Sequence, residues 1–350
     1  MEFNLQKLVR ENIRNLKPYS SARHEFTGKA SIFLDANENA FGSPLSENFN
    51  RYPDPLQRQL KFQLARIKGV PAENICIGNG SDEIIDLAYR IFCNPGKDNV
   101  IICPPTYGMY AVSAGINDID IRTVNLSPAF QLDVDGIMRA TDSNTKLLFI
   151  CSPNNPTGNS MNRSDIVYLL NNFPGIIIID EAYINYSKQK TFIQELTAYP
   201  NLIVMQTLSK AWGLAALRLG LCYASMDIIE LLNKIKPPYN INESSQAIAL
   251  EALQNTEQVN EWILQMVQQR EALLIALNEM SFVKEVYPSD ANFILLKVTD
   301  ADALYEHFAL HGIVVRNRSK EPGCENCLRI TIGTAEENTQ LLSVIKNYQQ

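Results

Sequence analysis

Three kinds of side chain that can act together chemically occur in the middle of the chain. Lys210 closes the segment Thr207-Leu208-Ser209-Lys210, and Arg218 follows eight positions later. Asp180 lies thirty residues upstream of the lysine, directly after four isoleucines. A lysine amine can condense with an aldehyde, and an acid at a strand end can hold a ring nitrogen protonated. Hydroxyl groups beside an arginine can bind a phosphate.

These are the requirements of pyridoxal 5′-phosphate, whose chemistry needs a Schiff-base lysine and a carboxylate partner for the pyridinium nitrogen. Most lysines are solvated, so Lys210 alone does not indicate a cofactor site. Away from water and beside a cation its pKa would fall, and the amine could act as nucleophile and then as base. The isoleucines before Asp180 predict a buried strand, on which a carboxylate needs a partner. A simple helix cap is the competing interpretation of Asp180.

A glycine-rich turn, Gly78-Asn79-Gly80-Ser81-Asp82-Glu83, precedes an amphipathic stretch. Such a turn can present the free N–H groups of a helix N-terminus to a phosphate. An ordinary helix capped by Ser81 or Asp82 is one alternative. A nicotinamide-binding fingerprint is another, but Ile84 stands where that pattern requires its last glycine.

Aromatic and amide groups occur in the neighbouring loops. Tyr107 could stack on a flat ring or simply anchor its loop. Asn155 stands in an Asn-Pro turn, which could hold its amide toward a ring hydroxyl. Tyr183, three residues after Asp180, could donate to the same ring. All these groups lie in loops after predicted strands. The order in which they occur indicates a pyridoxal phosphate site more specifically than any one of them does.

The apolar runs predict an α/β protein with a mostly parallel sheet flanked by helices. In open sheets of this kind, ligands bind beyond the carboxyl ends of the strands. The predicted strands of the first part of the chain are 99–103, 146–151, 175–180 and 201–205.

The pattern of apolar and polar residues changes after Tyr239. A long helical pattern covers 244–280, with its glutamines on the solvated face. A helix near 301–311 and strands at 292–296, 312–316 and 327–332 suggest a smaller α+β domain. We therefore predict an N-terminal arm (1–33) that docks on the small domain, a large domain (34–255) that binds the cofactor, and a small C-terminal domain (256–350).

Composition limits the possible functions. The formal net charge of -7 gives no reason to expect nucleic acid or an anionic membrane as a partner. The apolar runs are shorter than the ~20 residues that cross a bilayer. The first ten residues are polar and charged where a secretory signal would be apolar. We therefore expect a cytoplasmic enzyme that acts on small molecules.

The seven cysteines lie mostly within or beside apolar runs, as buried reduced thiols do. Only Cys324 and Cys327 have the spacing of a metal or redox pair. A zinc site needs four ligands, and the sequence contains no second cysteine pair. His307 and His311 are better explained as a surface pair on a helix. We expect no metal.

The motifs resemble those of the fold type I aminotransferases that use pyridoxal phosphate. The resemblance rests on Asn-Asn-Pro-Thr-Gly at 154–158, Asp-Glu-Ala-Tyr at 180–183 and the Ser-Lys pair at 209–210. Within this superfamily, segments 34–39, 51–55, 78–83 and 207–218 are most similar to the histidinol-phosphate aminotransferases. Trp212 and Ala216 depart from the usual pattern without removing a functional group.

The resemblance implies a role for each site residue. Lys210 would bond covalently to the cofactor and move the substrate proton, and Asp180 would pair with the ring nitrogen. Asn155 and Tyr183 would bond the ring oxygen, and Tyr107 would stack on the ring. The cofactor phosphate would be bound by Ser81, Asp82, Thr207, Ser209, Arg218 and, from the second subunit of a homodimer, Tyr52.

The resemblance also implies the substrates. Histidinol phosphate, as amino donor, would be bound through its phosphate by Arg329 and Arg316 with Tyr19. Arg329 could bind 2-oxoglutarate or glutamate in the second half-reaction, because a guanidinium binds phosphate and carboxylate alike. The alternatives are an aromatic amino-acid aminotransferase, a lyase similar to phosphothreonine decarboxylase, and a regulator that senses the cofactor.

Overall fold

The computed structural model describes residues 3–19, 32–45 and 48–348. Its strands are β1 (Ile75–Asn79), β2 (Asn99–Ile102), β3 (Asp120–Thr123), β4 (Thr145–Cys151), β5 (Ile176–Asp180), β6 (Leu202–Thr207), β7 (Leu219–Ala224), β8 (Val283–Val286), β9 (Phe293–Val298), β10 (Arg316–Asn317) and β11 (Cys327–Thr331). Its α-helices are α1 (Leu5–Leu8), α2 (Glu11–Asn15), α3 (Arg58–Lys68), α4 (Ser81–Phe92), α5 (Met109–Ile116), α6 (Val134–Ala140), α7 (Arg163–Asn172), α8 (Met226–Ile235), α9 (Glu243–Ala252), α10 (Thr256–Asn278), α11 (Ala301–Leu310) and α12 (Ala335–Lys346). None of these helices has both the length and the apolar character needed to cross a membrane.

The central sheet has seven strands in the order β1-β7-β6-β5-β4-β2-β3. Only β7 runs antiparallel to its neighbours, β1 and β6. The carboxyl ends of β4, β5 and β6 therefore meet at one edge of the sheet. The four predicted strands of this region are confirmed, as is the mostly parallel α/β fold.

Both faces of the central sheet are covered, which explains the uninterrupted apolar runs. Successive residues of a strand point to opposite faces. In β5, Ile177 and Ile179 belong to one core cluster and Ile176 and Ile178 to the other. The second cluster includes the apolar sides of α4, α5 and α8.

A second, antiparallel sheet has the order β10-β11-β9-β8. Its core is formed with α10, α11 and α12, and α12 begins in a capping box between Thr334 and Glu337. Two local predictions are wrong here. The helical pattern at 244–280 is divided into α9 and α10, with Asn255 as the N-cap of α10. The strand predicted at 312–316 starts only at Arg316, because Gly312 and Ile313 complete the hydrogen bonds at the end of α11.

The N-terminal segment does not dock where we expected. Val9 and Ile13 are buried in the core cluster of α4 and α8. The Arg10 N–H donates to the Ile91 carbonyl at 2.9 Å, and Lys234 Nζ donates to the Arg14 carbonyl at 2.9 Å. Residues 3–15 therefore pack on the helices of the central sheet, not on the small sheet, and positions 20–31 of the predicted arm lie outside the described residues.

Candidate active site

A cavity opens at the carboxyl edge of the central sheet. The loops after β1, β2, β4, β5 and β6 contribute to it, as the topology of the sheet predicts. All the residues predicted to contact the cofactor within one chain line it, together with Cys151 and Ala182: Ser81, Asp82, Tyr107, Asn155, Asp180, Tyr183, Thr207, Ser209, Lys210 and Arg218.

At one end of the cavity, α4 begins with no side-chain cap. Its N-cap is Gly80, with φ 78° and ψ 167°, a backbone conformation that is essentially restricted to glycine. The interpretation of this turn as a helix capped by Ser81 or Asp82 is therefore wrong. A Cβ atom on Gly80 would lie 2.6 Å from an Nη atom of Arg218, and the Gly80 N–H donates to the Arg218 carbonyl at 2.7 Å. The turn thus places uncapped helix N–H groups beside a guanidinium, an arrangement suited to an anion.

The carboxylate of Asp82 orients two neighbours. The Tyr107 hydroxyl donates to Asp82 Oδ1 at 3.1 Å, and Arg218 Nη2 lies 3.6 Å from Asp82 Oδ2. Because a carboxylate repels an anion, the Asp82 side chain cannot bind a phosphate directly. Its backbone N–H can do so, and its side chain holds Tyr107 and Arg218 in place.

Thr207 shapes the turn that carries the lysine. Its hydroxyl donates to the Leu219 carbonyl at 3.2 Å and accepts from the Ser209 N–H at 3.0 Å. This turn directs Ser209 and Lys210 into the cavity at the end of β6.

Asp180 is buried at the end of β5. Its Oδ2 accepts from the Tyr110 hydroxyl at 2.7 Å and its Oδ1 from the Ala182 N–H at 3.1 Å. Burial raises the pKa of the carboxyl above its usual range, and the two hydrogen bonds oppose this. Both partners are neutral, so the carboxylate still needs a counter-charge. Sequence reasoning missed Tyr110, although a tyrosine in an apolar helix indicates a buried hydroxyl in need of a partner.

Lys210 remains exposed at the cavity mouth, with Nζ 5.6 Å from the ring centroid of Tyr183. Partial desolvation and the nearby charge of Arg329 lower the pKa of its ammonium. Burial raises the pKa of Tyr183, so its phenol stays protonated and can donate. The site therefore combines a more readily deprotonated amine with a hydrogen-bond donor.

Arg329 extends from β11 of the small sheet and contacts a residue at the cavity without lining the cavity itself. Its Nη1 donates to Asn155 Oδ1 at 2.5 Å, which leaves the Asn155 amide N–H groups available toward the cavity. The guanidinium carbon lies 5.2 Å from the ring centroid of Phe293. Arg329 Nε is buried and has no hydrogen-bond partner among the described residues. Burial, Arg318 and Arg316 lower the pKa of Arg329.

Three other predicted residues do not line the cavity. Arg316 is exposed on β10, directly opposite Arg329 in the strand register. Tyr19 is 76% exposed. Tyr52 is 51% exposed and stacks on Tyr239, with ring centroids 4.5 Å apart.

The cysteine and histidine pairs lie outside this site. Cys324 and Cys327 are buried at the two ends of a turn, in which the Cys327 N–H donates to the Cys324 carbonyl at 2.9 Å. The His307 and His311 rings lie 4.4 Å apart in and just after α11. No cluster of three metal-binding side chains occurs within residues 3–19, 32–45 and 48–348. Trp212 is buried beside the lysine loop.

Comparison with known proteins identifies the family. The profile described as "Aminotransferase class I and II" matches residues 33–345, so the chain belongs to this family of fold type I enzymes. Histidinol-phosphate aminotransferase of Cytophaga hutchinsonii is 54% identical over 348 residues, which is 99% of this chain and 100% of that one.

Solved structures agree with this assignment. The histidinol-phosphate aminotransferase of Clostridium acetobutylicum has a TM-score of 0.79 at 25% identity, covering 85% of this chain and 90% of that chain. The Sinorhizobium meliloti enzyme, in complex with pyridoxal-5′-phosphate, has a TM-score of 0.78 at 24% identity and shows the same fold over 89% of this chain and 90% of its own.

The cofactor of the protein is pyridoxal 5′-phosphate, and the cavity fits it. The buried Asp180 carboxylate, whose bonded partners are neutral, suits a protonated ring nitrogen. The uncapped N-terminus of α4 beside Arg218 suits the phosphate. Lys210 lines the same cavity and supplies the amine that the aldehyde requires.

Proposed function

We propose that this aminotransferase transfers the amino group of L-histidinol phosphate to 2-oxoglutarate. The products are imidazole-acetol phosphate and L-glutamate, and the reaction is a step of histidine biosynthesis. The proposal is supported by the 54% identity with the Cytophaga hutchinsonii histidinol-phosphate aminotransferase over nearly the whole chain. A reaction of this kind needs an anion-binding group for the substrate besides the one that binds the cofactor phosphate.

The observation that carries the substrate assignment is the state of Arg329. Its Nε is buried and has no hydrogen-bond partner in the part of the chain that the structure describes, although leaving a buried charged donor unpaired is costly. Arg316 lies directly opposite on β10, and like charges in that position repel. A phosphate between the two guanidinium groups removes both penalties. A carboxylate of 2-oxoglutarate or glutamate satisfies Arg329 in the second half-reaction. Tyr19, next to the chain segment outside the described residues, completes the substrate site in this proposal.

Each cavity residue then has a defined task. Bound pyridoxal phosphate supplies an aldehyde that condenses with amines and a protonated ring that withdraws electrons. Lys210 is the nucleophile and general base, and Asp180 holds the proton on the ring nitrogen. Tyr183 and the Asn155 amide donate to the ring oxygen, and Tyr107 stacks on the ring. This assignment uses the Lys210 amine, which its lowered pKa makes more available, and the Tyr183 phenol, which its raised pKa keeps protonated.

Asp82 and Arg218 have complementary tasks at the phosphate end. Arg218 and the first N–H groups of α4, from Ser81 and Asp82, bind the phosphate, with the Ser209 hydroxyl beside them. The Asp82 side chain orients Arg218 and Tyr107, and Thr207 holds the turn of Ser209. This division of tasks keeps the negative carboxylate of Asp82 turned toward its two partners and away from the anion.

We further infer a cytoplasmic homodimer with shared sites. Tyr52 is half exposed in one chain and outside its cavity, so its phosphate contact is assigned to the cavity of a second copy. The seven free, buried cysteines fit a reducing compartment. The proposed limits of the arm, the large domain and the small domain remain 1–33, 34–255 and 256–350.

Single-turnover absorbance tests the substrate assignment. L-Histidinol phosphate is expected to convert the yellow enzyme to its amine form. Its second-order rate constant should be at least about 100-fold above that of L-histidinol or L-phenylalanine, because each of two charge-assisted contacts contributes at least about 10-fold. L-Histidinol is the matched control because it lacks only the phosphate. Equal rates with phenylalanine would favour an aromatic amino-acid aminotransferase. Release of carbon dioxide from phosphothreonine, without amine-form cofactor, would identify a lyase.

A further inference from the structure

Tyr110 of α5 lies outside the cavity and contacts one of the residues that line it, Asp180. It is completely buried, and its hydroxyl donates to Asp180 Oδ2 at 2.7 Å. Alternation along β5 explains the contact: Asp180 points to the same face as Ile178, and that face packs against α5. Tyr110 does not line the cavity, so it acts only through the residues that it touches.

The tyrosine ring is held on two sides. It stacks on Phe149, with centroids 4.8 Å apart and an interplanar angle of 18°. The ring of Tyr107 meets it edge-on at 5.5 Å. The hydroxyl of Tyr110 therefore has a fixed position relative to Asp180.

We propose that Tyr110 is a positioning residue that keeps Asp180 ionised and aimed at the ring nitrogen of the cofactor. The proposal rests on the proposed role of Asp180. A buried carboxylate needs donors to remain charged, and Tyr110 is one of the two that Asp180 has among the described residues. With one donor on each oxygen, the carboxylate is held in a single orientation. The same ring contacts Tyr107, so Tyr110 links the carboxylate to the aromatic group assigned to the cofactor face.

The direction of the bond is also fixed. Burial and the charge of Asp180 raise the pKa of Tyr110 well above its usual value. The phenol therefore remains a donor throughout the working pH range, and the carboxylate remains the acceptor. Loss of the hydroxyl removes a donor that favours the charged form of Asp180, so the carboxyl takes the proton from the ring nitrogen more readily and the ring becomes neutral.

The direct test is the ¹⁵N chemical shift of the ring nitrogen in holoenzyme that carries ¹⁵N-labelled cofactor. In Tyr110→Phe, the signal is expected to move toward that of a neutral pyridine, with kcat/KM about 10- to 100-fold lower, the range for a hydrogen bond to a charged group. Tyr89→Phe is the matched control, because it removes another buried tyrosine hydroxyl whose 2.8 Å bond goes to a carbonyl. Its ring-nitrogen signal should equal that of the wild type.

A double-mutant cycle separates this inference from the role of Asp180 itself. Asp180→Asn should shift the ring-nitrogen signal, and adding Tyr110→Phe should then produce no further shift. If Asp180→Asn has the wild-type signal, the proposed role of Asp180 fails and the inference fails with it. If Asp180→Asn shifts the signal but Tyr110→Phe does not, the inference alone is overturned. The inference is also overturned if Tyr110→Phe lowers kcat/KM by the same factor in the wild type and in Asp180→Asn.

A second variant covers the case in which Tyr110→Phe does not fold. Replacement of Tyr110 by 3-fluorotyrosine keeps the shape of the ring and makes the hydroxyl a stronger donor. The ring-nitrogen signal should then move toward that of the fully protonated ring, or stay there if protonation is already complete. A shift toward neutral pyridine contradicts the proposal.

Discussion

Gly80→Ala should weaken cofactor binding by displacing Arg218. The new Cβ atom would lie 2.6 Å from an Nη atom of Arg218, so the guanidinium must move away from the N-terminus of α4. Charge-assisted hydrogen bonds contribute about 1.5–3 kcal/mol each. Loss of one such bond to the phosphate corresponds to an affinity about 10- to 100-fold lower. The backbone of Gly80, with φ 78° and ψ 167°, adds about 1–3 kcal/mol of strain to the folded protein.

Titration of the cofactor-free variants with pyridoxal phosphate, followed by absorbance, measures this effect, and urea unfolding measures the strain. Gly312→Ala is the control for positive φ, since its φ is 75° and nothing lies within 4 Å of the new Cβ atom. It should lose stability and keep wild-type affinity. In an Arg218→Ala background, Gly80→Ala should cost less than about 3-fold in affinity. The reasoning would be refuted if Gly80→Ala bound the cofactor with wild-type affinity. It would also be refuted if Gly80→Ala lowered the affinity of Arg218→Ala by the full factor of about 10 to 100.

Three further changes test other parts of the site. Asp180→Asn should retain the cofactor with turnover nearly abolished. Burial raises the folded-state pKa of Asp180. Ionisation of this carboxyl therefore lowers the free energy of unfolding fully above that pKa, and has no effect below the pKa of the unfolded chain, about 3.9. The cofactor-free variant should therefore resist urea better than wild type at pH 7, with the gain lost as pH falls; equal stability at pH 7 would contradict this. Arg329→Ala should raise KM for both the phosphorylated donor and the keto acid, and a response of only one substrate would exclude a shared anchor. A mixed dimer of one Lys210→Ala subunit and one Tyr52→Phe subunit should contain one site that binds the cofactor with wild-type affinity, because that site combines Lys210 of one subunit with Tyr52 of the other. If Tyr52 acted within its own chain, neither site would be intact.

The central strands could be predicted because they are buried on both faces. The runs ending at Ile102, Cys151 and Asp180 contain almost only apolar residues, as the inner strands of a parallel sheet must. The strand predicted at 312–316 failed for the converse reason. Gly312 and Ile313 complete the hydrogen bonds at the end of α11, and pairing with β11 starts only at Arg316. The break between α9 and α10 at Asn255 has no proline or glycine to mark it.

The residues lining the cavity could be predicted because each follows a strand of the central sheet. Their mutual contacts could not, because these depend on packing between distant segments. Tyr110 and Asp180 are seventy positions apart, and only the packing of α5 on β5 brings them together. Similarly, the family resemblance implies a place for Asp82 at the phosphate. The structure shows its carboxylate bonded to Tyr107, on a different loop.

Borohydride reduction of the holoenzyme, followed by peptide mass spectrometry, tests the central claim most directly. We predict a reduced cofactor adduct on the peptide that contains Lys210, and no adduct in Lys210→Ala. Lys61 and Lys236 are the informative comparison, because burial lowers their pKa values too while both lie outside the cavity. An adduct on either of them, or an unchanged yellow chromophore in Lys210→Ala, would contradict the account.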